Sequence, residues 1–196
     1  MKLTIPYELW RCANLCKATN DVRFYLNGVH FKGFNIEATN GHYMYQASFK
    51  EFELDDVKAK PVKGSVIVRP KNKVPASTKA RNISYVEITT RKDVATIKYI
   101  SLYNQIEHMD VGEVIDGKYP DSRRVVKHIE AEDVSLDAPI GFNTKYLALI
   151  DKLLGKQMFN VAEMRLTGPS NPTEVLLKKP CMMQYNEIFV LMPARI

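Results

Sequence analysis

Histidine, cysteine and carboxylate side chains are the groups best equipped for bond chemistry, and in this chain their spacing assembles no reaction centre. His30, His42, His108 and His128 lack the short separations of paired metal ligands. Cys12 and Cys16 are one helical turn apart, which suits two ligands, but no two further ligands stand near them. Small core residues are the expectation for both. Asp116 and Asp121 lie five apart across a glycine and a proline, the pattern of charged turn residues rather than of an acid–base pair. No serine or cysteine sits in a nucleophile motif, and no Gly-x-x-x-x-Gly-Lys-Ser/Thr phosphate loop occurs. The chain is read as no enzyme, with no catalytic residue, no metal and no cofactor.

Binding chemistry is better represented. The formal net charge is +6, and Lys58, Lys60, Lys63, Arg69, Lys71 and Lys73 follow one another without an acidic residue between them. Glu130, Glu132, Asp133 and Asp137 form the opposite bias. A basic excess favours polyanions through counterion release, although such a run also serves as a solvated face. The segment Val114-Ile115-Asp116-Gly117-Lys118-Tyr119-Pro120-Asp121-Ser122-Arg123-Arg124-Val125 sets a rigid Tyr-Pro-Asp and two arginines between apolar ends. By itself it reads as an ordered, charged connector.

These groups need a scaffold, and 196 residues at 45% hydrophobic content can bury the core of one large domain or two small ones. The apolar runs are too short to span a bilayer, Met1-Lys2-Leu3-Thr4 has no secretory character, and an odd cysteine count fits a reducing cytosol. Residues 6–18 predict an amphipathic helix with Pro6 in its first turn and Leu9, Ala13 and Cys16 on its core face. Strands are expected over 22–31, 34–39 and 43–49, with hairpin signals at Asn27-Gly28 and Asn40-Gly41. Another is expected over 65–68, after which Pro70 and Pro75 make the lysine-rich stretch to Lys79 a poor helix. Strand character resumes over 83–90, 94–102 and 105–109. The best helix is 142–156, ended by Gly155, and strands over 162–167, 174–178 and 185–191 follow. The order is helix–strands, weak-helix–strands, helix–strands, which places the chain in the α+β class with antiparallel sheets and helices on one face.

Three separated blocks resemble the bacterial replication sliding clamp, the β subunit of DNA polymerase III. The first is Asp21-Val22-Arg23-Phe24-Tyr25-Leu26-Asn27-Gly28-Val29, with Ala38-Thr39-Asn40-Gly41-His42 downstream. The second is the connector from Ile115 to Val125. The third is Ile140-Gly141-Phe142-Asn143-Thr144-Lys145-Tyr146-Leu147 with the end Phe189-Val190-Leu191-Met192-Pro193-Ala194-Arg195-Ile196. The resemblance implies a DNA-clamp fold of about three helix-plus-strands repeats. Residues 1–125 would form a complete clamp-like domain of two repeats, and 126–196 half of another. Across Asn27-Gly28 the family runs a strand rather than a hairpin. Family rings hold twelve such repeats, so four copies of this chain would supply as many. The shortened form suggests a bacteriophage or mobile element and the cytoplasm of a bacterial or phage-infected cell.

As a member of that family the chain would be a processivity factor in DNA replication, encircling duplex DNA and tethering a DNA polymerase, with a clamp loader as a further partner. DNA-facing candidates are Arg11, Lys17, Lys145, Lys152 and Lys156, with Arg23 and Tyr25 matching family contacts. Leu26, Thr39, Gly41, His42, Pro120, Arg124, Val125, Tyr146, Val190, Met192 and Pro193 would line a peptide-binding pocket. For Leu26, Val125 and Val190 plain core is the competing account. Two departures fall on that pocket: Thr39-Asn40-Gly41-His42-Tyr43-Met44 where the family has Thr-Asp-Gly-His-Arg-Leu, and Ala194 and Ile196 in its terminal Met-Pro-Met-Arg-Leu. A clamp-derived interaction protein that binds clamp partners or transcription machinery without encircling DNA is the alternative. A basic DNA-binding protein that needs no ring is a third.

Overall fold

Proline at position 6, with φ at −55°, ends the first strand and opens the first helix, the place where its missing N–H costs least. The computed structural model describes residues 1–54, 57–126, 139–155, 161–166, 168, 170–178 and 185–194. Along them run β1 (Lys2–Pro6), α1 (Tyr7–Cys16), a 3-10 turn (Phe24–Asn27), β2 (Val29–Gly33), β3 (Asn35–Thr39) and β4 (Tyr43–Ser48). Two short strands, β5 (Glu53–Leu54) and β6 (Val57–Lys58), precede β7 (Val62–Pro70), β8 (Ile83–Arg91), β9 (Val94–Ser101) and β10 (Ile106–Ile115). Then come α2 (Arg123–Val126), α3 (Thr144–Leu154), β11 (Val161–Arg165), β12 (Thr173–Lys178) and β13 (Glu187–Leu191).

Eleven strands form one sheet in the order β1-β8-β9-β10-β7-β2-β3-β4-β13-β12-β11, and each neighbouring pair is antiparallel. The first strands of two successive units are exchanged. β1 pairs with β8 from Lys2↔Thr89 to Pro6↔Tyr85, while β7 pairs with β2 from Val29↔Val68 onward. The connection from β1 to β2 holds α1, and the matching connection from β7 to β8 holds no helix, as its prolines predict. Within the sheet the two halves join where Gly112–Ile115 of β10 pairs with Ile67–Pro70 of β7.

The core lies between α1 and the strands beneath it. Leu9, Trp10, Cys12, Ala13 and Cys16 are fully buried, which bears out the expected core face and places both cysteines in it. Trp10 stacks on Phe31 at 6.0 Å and donates Nε1–H to the Tyr99 hydroxyl at 3.1 Å, so its one polar atom is satisfied. In α3, Asn143 caps the N-terminus by accepting from Lys145 N at 3.0 Å, and Gly155, at φ +78°, ends the helix in a conformation that favours glycine. Ile150, Leu153 and Leu154 are buried as the periodicity requires, with Leu149 beside them.

Several boundaries differ from expectation. Residues 22–28 are not strand: the chain makes a 3-10 turn there, and Gly28 (φ −119°, ψ 169°) runs extended into β2 rather than turning a hairpin. The cause is Asn27, whose side chain accepts from Asp21 N and donates to Asp21 O, both at 2.9 Å, closing the loop on itself. Asn40-Gly41 does turn the β3–β4 hairpin, with Gly41 at φ +91°. Val114 and Ile115 belong to β10, so the connector begins at Asp116. Among the described residues, no helix is long and apolar enough to cross a membrane.

The narrow join makes Gly112 a sensitive position, because a Cβ there would stand 2.7 Å from the Arg69 carbonyl oxygen. Gly112→Ala is expected to lower unfolding free energy by about 1–3 kcal/mol through overpacking, measured by urea denaturation. An unchanged midpoint would show that β7 yields at no cost.

Candidate functional site

Three segments distant in sequence meet in a groove of about 230 Å³ beside the β4–β13 boundary. One wall is the 3-10 turn (Arg23, Leu26) together with the β3–β4 hairpin (Thr39, Gly41, Tyr43, Met44), the second is the connector (Tyr119, Pro120, Asp121, Ser122, Val125), and the third is the end of β13 (Val190, Met192). β13 reaches this place by pairing with β4, Leu191 opposite Tyr43 and Val190 opposite Met44. Beyond the strand, Met192 N donates to His42 O at 3.0 Å and holds the chain end to the hairpin.

The connector is anchored through Tyr119. Its ring stacks on buried His30 at 4.5 Å, and its hydroxyl accepts from Thr39 N at 3.0 Å. Burial pushes the Tyr119 phenol far above its ordinary value, so it stays a neutral hydroxyl. His30 is itself held, with Nε2 2.7 Å from Ser65 Oγ and Nδ1 3.5 Å from Glu37 Oε1. Pro120 and Val125 are therefore presented by a fixed segment.

The groove rim carries two copies of one device, an aspartate pairing with the arginine two residues on. Arg23 donates Nε to Asp21 Oδ1 at 3.0 Å and Nη2 to Asp21 Oδ2 at 2.8 Å, and Arg123 does the same to Asp121 at 2.9 Å each. These hydrogen bonds hold both carboxyls down at about 2. Arg23 also reaches the Asn40 carbonyl at 3.3 Å and lies over Gly41, where a Cβ would meet Nη2 at 2.9 Å. Apolar walls with self-neutralised charges at the edge suit a short peptide with apolar anchors.

Seven of the residues expected in the pocket line the groove: Leu26, Thr39, Gly41, Pro120, Val125, Val190 and Met192. Leu26 and Val190 are also buried, as the competing core account expects. His42, Arg124, Tyr146 and Pro193 are not among its lining residues. His42 stacks on Tyr146 at 5.7 Å, and Tyr146 meets Tyr43 edge-on at 5.1 Å, tying α3 to the groove's back wall. Tyr119 and Ser122 went unrecognised as lining residues. The Tyr-Pro step hinted at the first, whereas nothing local marks the second.

The expected DNA-facing cations divide. Lys145 and Lys152 are exposed on α3. Lys17 follows α1 and lines a second cavity, of about 360 Å³, with Arg69 and Lys71; burial and then Arg69 lower its pKa. Arg11 is not a free cation: it pairs with Glu8 and donates to the Lys152 and Leu153 carbonyls at 2.6 and 3.0 Å, capping the end of α3. Tyr25 is half-buried beside Gly117. Lys156, His128, the acidic residues between 130 and 137, Arg195 and Ile196 lie outside the described residues.

No family model matches the chain, and no curated protein matches it. Solved structures do. The fold is similar to a DNA polymerase sliding clamp from Pseudomonas aeruginosa at 15% identity and a TM-score of 0.60, covering all of this chain and 67% of that one. It is similar to the β subunit of DNA polymerase from Streptococcus pyogenes (15%, 0.62, all of this chain and 66% of that one). A DNA polymerase sliding clamp from Bacillus subtilis is a third (14%, 0.58, all and 64%). The chain has the sliding-clamp fold, mostly antiparallel sheet with few helices, and spans about two thirds of the length of these structures.

The rim pairs make a pH prediction. A carboxyl depressed from 3.8 to about 2 contributes its pairing above the ordinary value and loses it as pH falls through about 2. Carboxyl carbon NMR of Asp21 and Asp121 should therefore show both still ionised at pH 4. Midpoints near 3.8 would mean that the arginines are not holding them.

Proposed function

We propose that this chain is a sliding clamp, a non-enzymatic DNA polymerase processivity factor that encircles duplex DNA and tethers replication proteins through its groove. The observation that carries the reading is the groove itself, in a clamp fold: Leu26, Thr39 and Gly41 face Pro120 and Val125 across to Val190 and Met192. Those residues come together at the seam between the first strands of the chain and its last, where one segment inserted in extended form can touch all three walls. Met192, unbranched and half-buried, is adaptable enough to meet several partners. DNA polymerase is the partner proposed for it, with a clamp loader as a second.

In this reading residues 1–125 are a complete clamp domain of two repeats and 126–196 half of another. Encircling DNA then requires several copies, and four would bring the repeats to the number that the family resemblance implies for a ring. The sheet supports such association. Over Ile106–Met109, β10 pairs with β9 only among the described residues, and Leu102, Tyr103, Ile106 and Met109 are exposed beside that edge. An open edge with apolar side chains invites another strand. Lys17, Lys145, Lys152 and Lys156 are the proposed phosphate contacts, with Arg23 and Tyr25 at the loop. Phosphate contacts without base readout let a ring slide.

The direct test is topological. Protein loaded on nicked circular DNA should be retained and should be lost when the circle is linearised, with a solution mass of four chains by light scattering. Equal behaviour on both DNAs would favour the alternative, a clamp-derived interaction protein that does not encircle DNA. Met192→Ala should weaken capture of a polymerase peptide by about tenfold, a loss of roughly 1–2 kcal/mol for one truncated anchor, while leaving the solution mass unchanged. Loss of mass and capture together would place Met192 in the assembly interface instead.

A further inference from the structure

The connection from β7 to β8, residues 71–82, carries Lys71, Lys73, Lys79 and Arg81 and no acidic residue. All four cations are exposed, and none enters an ion pair among the described residues. The exchanged pairing of β1 with β8 and β7 with β2 makes this connection the counterpart of the one that holds α1. It also lies alongside α1. The Tyr7 hydroxyl, at the helix start, donates to Pro75 O at 2.7 Å and accepts from Ser77 N at 3.1 Å. At the helix end, Lys17 and Lys71 line one cavity. Ten helical residues span about 15 Å, and the six steps from Lys71 to Ser77 reach at most roughly 20 Å. The segment thus runs antiparallel to α1 as a strap.

The strap is held rather than loose. Asn72 donates its side-chain amide to Asp110 Oδ1 at 2.6 Å, and Lys71 N donates to Val111 O at 3.0 Å. Val74 packs on the core. Thr78 and Arg81 exchange backbone hydrogen bonds at 2.8 and 3.1 Å, and Ser77 Oγ accepts from Ile83 N at 3.1 Å. Cations on a pinned backbone lose less freedom on binding than cations on a mobile tail. By contrast, the earlier part of the basic run is spent or remote: Lys58 pairs with Glu53 at 2.7 Å, and Arg69 pairs with Glu113.

We infer that the 71–81 strap is a phosphate-binding track for duplex DNA, taking in the helix layer the place of a second helix and contributing more phosphate contacts than α1, whose Arg11 is committed to α3. The inference rests on the clamp reading for its choice of ligand. The strap's four charges sit in two pairs, each two residues apart, and Lys71 shares a cavity with the half-buried Lys17. Together they supply a diffuse positive surface without side chains placed for base recognition.

The test compares the unmodified chain with Lys71→Gln/Lys73→Gln/Lys79→Gln/Arg81→Gln and with a charge-matched control, Lys32→Gln/Lys50→Gln/Lys60→Gln/Lys63→Gln. The control residues are exposed and without ion pairs among the described residues. Affinity for a short duplex is read by fluorescence anisotropy from about 50 to 200 mM salt, where each neutralised phosphate contributes roughly 0.9 to the slope of log K on log salt. The strap variant should lose about 3 to 4 from that slope, and the control should keep it. DNA should also protect Lys71, Lys73 and Lys79 of the unmodified chain from acetylation, a readout independent of any folding defect in the variant. Equal slopes for strap variant and control, or protection confined to Lys145 and Lys152, would overturn the inference and leave the clamp reading standing. An unmodified chain that binds no duplex at the lowest salt would overturn both.

Discussion

The backbone ladder between β4 and β13 is the interaction on which the rest depends. Five residue pairs, from Glu187↔Ala47 to Leu191↔Tyr43, join the last strand of the chain to a strand that ends near residue 48. Through that ladder Val190 and Met192 arrive opposite the hairpin. Tyr45, fully buried, donates its hydroxyl to Glu187 Oε2 at 2.7 Å across the seam, so the seam has a satisfied polar contact beneath its apolar one. The helix layer closes in the same place: Arg11 and Cys12 of α1 both bond to the Leu153 carbonyl of α3. Without the ladder the groove has two walls, and α3 has little to rest on.

Charge is handled differently on the two faces that matter. At the groove, Asp21 with Arg23 and Asp121 with Arg123 cancel locally, and being exposed they contribute little to stability. Their effect is to shape the rim, because each bidentate pair closes a tight turn at the groove mouth. On the helix layer the opposite holds, with cations left unpaired along the strap. A single chain thus separates a nearly neutral groove from a positive strap, the division that the proposed peptide and DNA partners would require.

Much of this was legible in the residues. α1 and α3 followed from apolar spacing and from Pro6, Asn143 and Gly155, signals that act within one or two turns. The Asn40-Gly41 hairpin was equally local. The failure at 22–28 was instructive: its aromatic and β-branched composition reads as strand, yet two hydrogen bonds from the Asn27 amide outweigh propensity. Arg11 looked like a surface cation because the two α3 carbonyls it caps are 141 and 142 residues away, beyond any window of sequence. Tyr119 needed the His30 ring to become a wall of the groove, and His30 carries no mark of that role. The resemblance supplied what periodicity could not, since Met192 and Leu26 share no local pattern.

The exchange of first strands has a consequence for how the chain reaches this state. β1 is made well before its partner, which ends near residue 91, so Lys2 must find Thr89 across a long intervening loop. Contacts of that separation form late and slowly, because the loop between them must be closed before any hydrogen bond returns the entropy lost. Until β8 emerges from the ribosome, α1 has only the β2–β3–β4 meander to cover it, and Leu3 and Ile5 lack the strand they pair with. Early folding therefore has to begin in the β2–β3–β4 meander, whose hairpins are local, and the amino terminus is stitched in afterwards.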